Sequence, residues 1–194
     1  MKLIFASNND HKLEEVLSVS PDWISIVPLK DSGCTGELEE TTGTIRGNAL
    51  QKATQVYKST GFPCFADDSG LEVEALNGQP GVDTAHFAGP ERDSFKNMNK
   101  LLNQLSESKN RKARFITVIA YVDKHGHHLF EGEVKGSISE EMQGSEGFGY
   151  DPVFIPENHS VTFAMMKPET KNSMSHRSRA MKLFIEFLNK QTRN

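Results

Sequence analysis

Residues 113–123 carry Phe115, Val118, Ile119, Tyr121 and Val122; beyond the turn Lys124-His125-Gly126-His127, residues 128–138 alternate apolar and polar side chains. Such runs, joined by a short glycine-bearing turn, predict a long antiparallel hairpin. A hairpin of that length argues against an all-parallel doubly wound sheet. Helical spacing appears elsewhere. Residues 11–19 place Leu13, Val16 and Leu17 on one face, residues 44–60 do so with Ala49, Ala53 and Val56, and residues 93–106 with Met98, Leu101, Leu102 and Leu105. Residues 175–190 predict a last helix that buries Met181, Leu183, Phe184, Phe187 and Leu188. Short strands are expected at 2–6, 24–29, 63–66, 71–76 and 150–155, with polar, turn-rich loops at 31–43, 77–89 and 144–149. The class is therefore α/β with a mixed sheet.

At 194 residues the chain suits one large domain or two small lobes. The net charge of -4, with Lys and Arg scattered, supplies no basic stripe and argues against nucleic acid as partner. No segment approaches the ~20 apolar residues of a membrane span, and the apolar part of the N-terminus is too short for a secretory signal. Cys34 and Cys64 form neither a CxxC nor a disulfide framework. A structural role for both, in a reduced cytoplasmic protein, is expected. His125, His127 and His128 lack metal-site spacing, and Arg111-Lys112-Ala113-Arg114 reads as a solvated strand entrance.

Five stretches could carry chemistry. Phe65-Ala66-Asp67-Asp68-Ser69-Gly70-Leu71 sets two adjacent carboxylates where an apolar strand gives way to Ser-Gly. Adjacent side chains on extended backbone face opposite ways, so at most one faces a given site. Hard oxygen ligands suit Mg²⁺, although Asp, Ser and Gly equally make a turn. Ser7-Asn8-Asn9-Asp10-His11-Lys12 is a strand–loop–helix entry of the kind that holds phosphate, or else an Asx-capped helix with a solvated lysine. Glu39-Glu40 precedes the second helix, where either acid complements the dipole or adds a carboxylate to a metal at Asp68; Asn48 and Lys52 lie one turn apart on that helix. In Gly147-Phe148-Gly149-Tyr150-Asp151-Pro152, Phe148 between glycines offers a ring for stacking a flat base, or plugs a hairpin loop. Lys171 to Arg177 ends with Ser175 as a candidate cap and with His176 and Arg177 in a first turn, where the dipole disfavours cations unless an anionic or hydrogen-bond-accepting ligand is present.

Together with Gly78-Gln79-Pro80-Gly81, these motifs come in the order of a known family. The chain resembles the inosine triphosphate pyrophosphatases, which cleave deaminated purine nucleoside triphosphates (ITP, dITP, XTP) to the monophosphate and pyrophosphate. The resemblance runs over residues 2–188. It implies a single domain, 1–194, of two α/β lobes around a long twisted mixed sheet flanked by helices, with the active-site cleft between the lobes. It also implies a Mg²⁺-dependent homodimer acting on a small-molecule nucleoside triphosphate, with no membrane partner. By the same resemblance Glu40 and Asp68 are metal ligands, and Asp68 also activates water. Ser7, Asn8, Asn9, Asp10, His11 and Lys12 cradle the triphosphate, with Lys12 also catalytic, and Ser69 contacts substrate. Phe148, Gly149, Tyr150, Asp151, Lys171, His176 and Arg177 resemble base and phosphate contacts. Two departures stand out: Ser7 where the family often has threonine, and Met165 where glutamate is common. The other readings are a Maf-like pyrophosphatase of other nucleotides and a nucleotide-binding module without catalysis.

Overall fold

The apolar strand β1 (Lys2–Phe5) runs between two parallel neighbours in the computed structural model, which describes residues 1–191. Residues 192–194 of the expected domain lie outside the described residues. The order continues with α1 (Asp10–Val19), β2 (Ser25–Pro28), α2 (Ile45–Thr60), β3 (Cys64–Val73), β4 (Pro80–Gly81) and α3 (Ser94–Gln104). It ends with β5 (Lys112–Asp123), β6 (Gly126–Ile138), β7 (Phe154–Pro156), α4 (Pro168–Met174) and α5 (His176–Gln191). The sheet order is β2-β1-β3-β5-β6-β7, with β4 paired to β3. β1 is parallel to β2 and β3, whereas the β3–β4 and β6–β7 pairs are antiparallel. The sheet is thus mixed, as the α/β class requires. Only two residues separate the neighbouring strands β5 and β6, a connection open to an antiparallel pair alone.

Two compact units divide the chain. The first comprises Met1–Asp68, Thr117–Gly132 and the stretch beginning at Arg177. Its core sets Leu3, Phe5 and Phe65 of the sheet against Val16 of α1 and Ala180, Met181, Phe184 and Leu188 of α5. Phe65 stacks on Phe5 at 4.9 Å and meets Phe184 at 5.1 Å. The apolar stripe of α2, formed by Ile45, Ala49, Ala53 and Val56, is buried, and Cys64 Sγ donates to the Ala53 carbonyl at 3.1 Å. Burial pushes the Cys64 thiol up to about 12, so that group is inert. The second unit comprises Ser69–Ile116 and Glu133–His176. There Phe115, Phe154 and Phe163 cluster with Leu101 of α3 and with Leu105, which follows that helix.

Several expectations required correction. Asp67 to Gly70 do not form a turn; β3 passes through them unbroken. Ion pairs to neighbouring helices satisfy both carboxylates, and that tertiary gain overrides local turn propensity. The strand expected at 150–155 is a 3-10 turn, Asp151–Val153, followed by the short β7. Leu183 is 46% exposed because α5 turns residues 181, 184 and 188 inward. Arg111 is no solvated entrance: its guanidinium donates to the carbonyls of Leu105, Ile138 and Ser139. Arg114 likewise reaches Glu72 and Glu133.

Candidate active site

The strand order β2-β1-β3 with parallel pairing means that the chain leaves β1 first to one side and then to the other. Open α/β sheets bind ligands at such a switch, outside the carboxyl ends of the strands. Here Ala6 N donates to Phe65 O at 2.7 Å, which seats the start of the loop Ser7–Asn9 against the first half of β3, just beyond the carboxyl end of β1. Ser7 Oγ accepts from Asn9 N, and Asn9 Oδ1 caps α1 by accepting from Lys12 N at 3.1 Å. The loop is therefore an Asx-capped entry, yet its lysine is not solvated. Lys12 Nζ donates to Asp67 Oδ1 at 3.1 Å, and its side chain is 15% exposed. Asn8, Asn9, Asp10 and His11 are exposed at the mouth of this loop, and Ser7 is half-buried.

Alternation along β3 gives the two aspartates different surroundings. Phe65 and Asp67 share one face, where Phe65 meets α5 and Asp67 accepts from Arg177 Nε at 2.9 Å. Arg177 also pairs with Glu15 of α1 through Nη1. Cys64 and Asp68 share the other face, toward α2, and Lys52 Nζ donates to Asp68 Oδ1 at 3.0 Å. The same ammonium donates to Glu40 Oε1 at 2.5 Å. Burial favours the neutral form of Asp67, but Lys12, Arg177 and Lys52 outweigh it and hold the carboxyl well below the usual range. For Asp68 burial wins over Lys52 and Lys12, Glu40 adds to it, and the carboxyl is raised. Burial also lowers Lys12; at Lys52 it is outweighed by Asp68, Asp67 and Glu40, so that ammonium is raised. The two neighbouring carboxyls are thus pushed apart in acidity by their different surroundings.

The loop bearing Glu40 is held by a polar stripe that sequence reasoning did not assemble. Asn48, Gln51, Lys52 and Gln55 fall at helical i, i+3, i+4 and i+7 positions on α2. Asn48 Oδ1 accepts from Thr42 N at 3.1 Å, Gln51 Oε1 from Thr41 N at 2.9 Å, and Gln55 Oε1 from Glu39 N at 3.0 Å. Glu39 itself accepts from Gln51 Nε2 at 3.1 Å, which leaves Glu40 as the acid turned toward Lys52. Two hard carboxylates around one cation suit Mg²⁺, whose shell is usually completed by waters and phosphate oxygens. Among the described residues no group of three or more His, Cys, Asp or Glu could hold a metal ion.

In the second unit, Lys171 Nζ donates to Asp151 Oδ2 at 2.6 Å, and the same oxygen accepts from Phe148 N at 2.8 Å. Phe148 is half-buried, with Lys171 Nζ 5.0 Å from its ring centre. Gly147 has a φ of +75°, and a Cβ there would lie 2.1 Å from Asp151 Oδ2, so only glycine lets the loop close on that carboxylate. Tyr150 sits in the core with its hydroxyl on the Thr84 carbonyl at 3.0 Å. Its side chain and that of Asp151 thus shape the loop. Gly149 continues this turn with a φ of +64°. His176 is buried and stacks on Phe115 at 4.7 Å, and Ser69 is half-buried in β3. Met165, the departure from the familiar pattern, is 51% exposed in a 3-10 turn.

The family model described as the Ham1 family matches residues 3–187. The chain belongs to the Ham1 family. It is 52% identical over 188 residues to a dITP/XTP pyrophosphatase of Porphyromonas gingivalis, covering 96% of this chain and 97% of the relative. A Flavobacterium psychrophilum protein of the same name is 48% identical over 187 residues, with 96% and 98% covered. The Staphylococcus aureus Ham1 protein has a structure similar to this one at a TM-score of 0.90 and 35% identity, over 98% of this chain and all of the other. A dITP/XTP pyrophosphatase from Mycobacterium abscessus gives 0.78 at 41% identity, over 95% and 98%. No helix among the described residues of this Ham1-family chain is long and apolar enough to cross a membrane.

Proposed function

We infer that this chain hydrolyses deaminated purine nucleoside triphosphates (ITP, dITP and XTP) to the monophosphate and pyrophosphate, with Mg²⁺ as cofactor. One observation carries the inference: two adjacent carboxylates on β3, just beyond the carboxyl end of β1, are each held by cations, Asp67 by Lys12 and Arg177 and Asp68 by Lys52. The substrate class is supported by relatives named dITP/XTP pyrophosphatases along nearly their full length.

Glu40 and Asp68 would hold the metal, which when bound supplies Lewis acidity toward phosphate oxygens and a water of lowered pKa. Asp68 is assigned the proton of the attacking water. Asp67 stays anionic and fixes Lys12 and Arg177. Lys12, at the capped start of α1, is placed to balance charge that builds on the departing pyrophosphate, while Ser7 to His11 line the phosphate end. In the second unit Phe148 is assigned to base stacking, and Lys171, Ser69 and His176 to polar contacts. A 6-oxo base is read by N–H donors, from Arg177 and from backbone; adenine would leave them unpaired, a mismatch able to reject an analogue by ~10⁴-fold. Homodimerisation and a cytoplasmic location belong to the same proposal, and light scattering in solution tests the first.

The decisive experiment offers purified protein a panel of ITP, dITP, XTP, ATP, GTP and pyrimidine triphosphates, with pyrophosphate and orthophosphate measured separately, with Mg²⁺ and with EDTA. Pyrophosphate release confined to the deaminated purines and lost in EDTA is expected. Orthophosphate as the product, or preference for a pyrimidine nucleotide, overturns the assignment.

A further inference from the structure

Lys52 has no place in the chemistry above, yet it is the group on which the two proposed metal carboxylates converge. Its side chain is 7% exposed, and its ammonium donates at 2.5 Å to Glu40 and 3.0 Å to Asp68. A lysine ammonium is a compact point charge, and here it stands between Glu40 Oε1 and Asp68 Oδ1, one oxygen from each carboxylate that would hold the divalent ion. The carboxylates therefore need no metal to remain together. The loop 39–42 is also tied to α2 through Asn48, Gln51 and Gln55, so its position does not rest on Lys52 alone.

We propose that Lys52 is a built-in counter-cation, occupying the space between Glu40 and Asp68 until a divalent ion displaces it, so that metal entry and lysine release are one exchange. The device keeps the carboxylates from repelling one another when no metal is present. It also weakens metal binding in the absence of nucleotide, because an incoming ion must break two charge-assisted hydrogen bonds. The proposal rests on the assignment of Glu40 and Asp68 as metal ligands, and its test is arranged to fail separately from that assignment.

Binding of Mn²⁺ alone, without nucleotide, is measured by calorimetry on the wild-type protein and on Lys52→Met, Glu40→Gln and Asp68→Asn. Removing a unit positive charge from within hydrogen-bond reach of both ligand carboxylates is expected to tighten Mn²⁺ binding to Lys52→Met by about tenfold or more. Without metal the variant melts below wild type, and Mn²⁺ raises its melting temperature by more than it raises that of wild type. Equal or weaker Mn²⁺ binding by Lys52→Met, while Glu40→Gln and Asp68→Asn bind less than wild type, overturns the exchange alone. If neither carboxylate variant binds Mn²⁺ more weakly than wild type, the ligand assignment fails and the exchange with it. A second measurement keeps the test open should Lys52→Met not fold: amine labelling of wild-type protein, read by mass spectrometry. Labelling of Lys52 is expected to accelerate when Mn²⁺ is added, and an unchanged or slower rate refutes release.

Discussion

Replacing Asp67 by asparagine separates the two neighbouring carboxyls by their effect on folding. The Asp67 side chain has no exposed surface, and its oxygens accept from Lys12 Nζ at 3.1 Å and Arg177 Nε at 2.9 Å. Removing one partner of a buried ion pair costs about 3–5 kcal/mol. Two features reduce that figure: Lys12 is 15% exposed, and Arg177 keeps Glu15. A loss of about 2–4 kcal/mol at neutral pH is therefore expected, which at about 2–4 °C per kcal/mol lowers the melting temperature by roughly 5–15 °C. The pH dependence follows from the depressed folded-state value of Asp67. Its stabilisation is fully present above the unfolded value of about 3.9 and is lost as pH falls through the lower folded value. The gap between wild type and Asp67→Asn should thus be constant near neutrality and close below about pH 4. Asp68 has the opposite sign, since its folded-state value is raised and the folded protein disfavours its anion. Asp68→Asn is expected to change stability by no more than ~1 kcal/mol, or to increase it, while removing most turnover. Urea denaturation followed by circular dichroism, with initial rates on ITP, measures both. If Asp67→Asn loses under ~0.5 kcal/mol, the level of an ordinary surface change, or if Asp68→Asn proves the more destabilised, the assignment of roles is wrong.

Truncating the half-buried ring beside Lys171, in Phe148→Ala, should lower kcat/KM for ITP by about 10–100-fold, the equivalent of one lost base stack, and unchanged kcat/KM would remove Phe148 from the base site. For Gly147→Ala the added methyl meets Asp151 Oδ2 at a positive φ, so a loss of about 1–3 kcal/mol is expected from strain together with reduced activity, both read on the same preparation. Gln51→Ala combined with Gln55→Ala cuts the ties from α2 to Glu39 and Thr41; the Mg²⁺ concentration for half-maximal rate should rise while the fold persists by circular dichroism. An unaltered Mg²⁺ requirement would show that Glu40 is held in place without them.

Periodicity made the long elements legible. The hairpin of β5 and β6 was written in its β-branched and aromatic runs, and α2 and α3 in their apolar stripes; Thr44 and Asp93, the first residues of the expected helices, prove to be their caps. What local pattern could not reveal was continuity paid for by distant residues. β3 crosses an Asp-Asp-Ser-Gly run because Lys12, Lys52 and Arg177, from three separate helices, come to those aspartates. Arg111 was misjudged for the same reason, since its carbonyl partners lie as far away as Ser139. Glu15 escaped notice because a lone glutamate in an exposed-looking helix turn carries no signal until Arg177 is placed beside it. The stripe Asn48, Gln51, Lys52, Gln55 was available in the spacing alone. A polar stripe on a helix that already has a separate apolar stripe is a sign that a loop is laced there, and only Asn48 and Lys52 had been paired.

The Asp67-Asp68 dipeptide shows why extended backbone is needed at this site. On a helix, successive side chains are separated by about 100°, and two neighbouring carboxylates would share much of one environment. On β3 they point to opposite faces, so Asp67 follows Phe65 toward α5 while Asp68 follows Cys64 toward α2. The partners then differ in kind. Arg177 and Lys12 converge on Asp67 and fix its charge, whereas Asp68 shares its lysine with Glu40 and has its basicity raised by burial. A peptide bond thus separates a carboxylate held by Lys12 and Arg177 from one that shares its lysine with Glu40. Inserting one residue before Asp67 would exchange the two faces. No choice of side chains at the remaining positions of β3 would restore both roles, because the faces are set by the helices that pack on them.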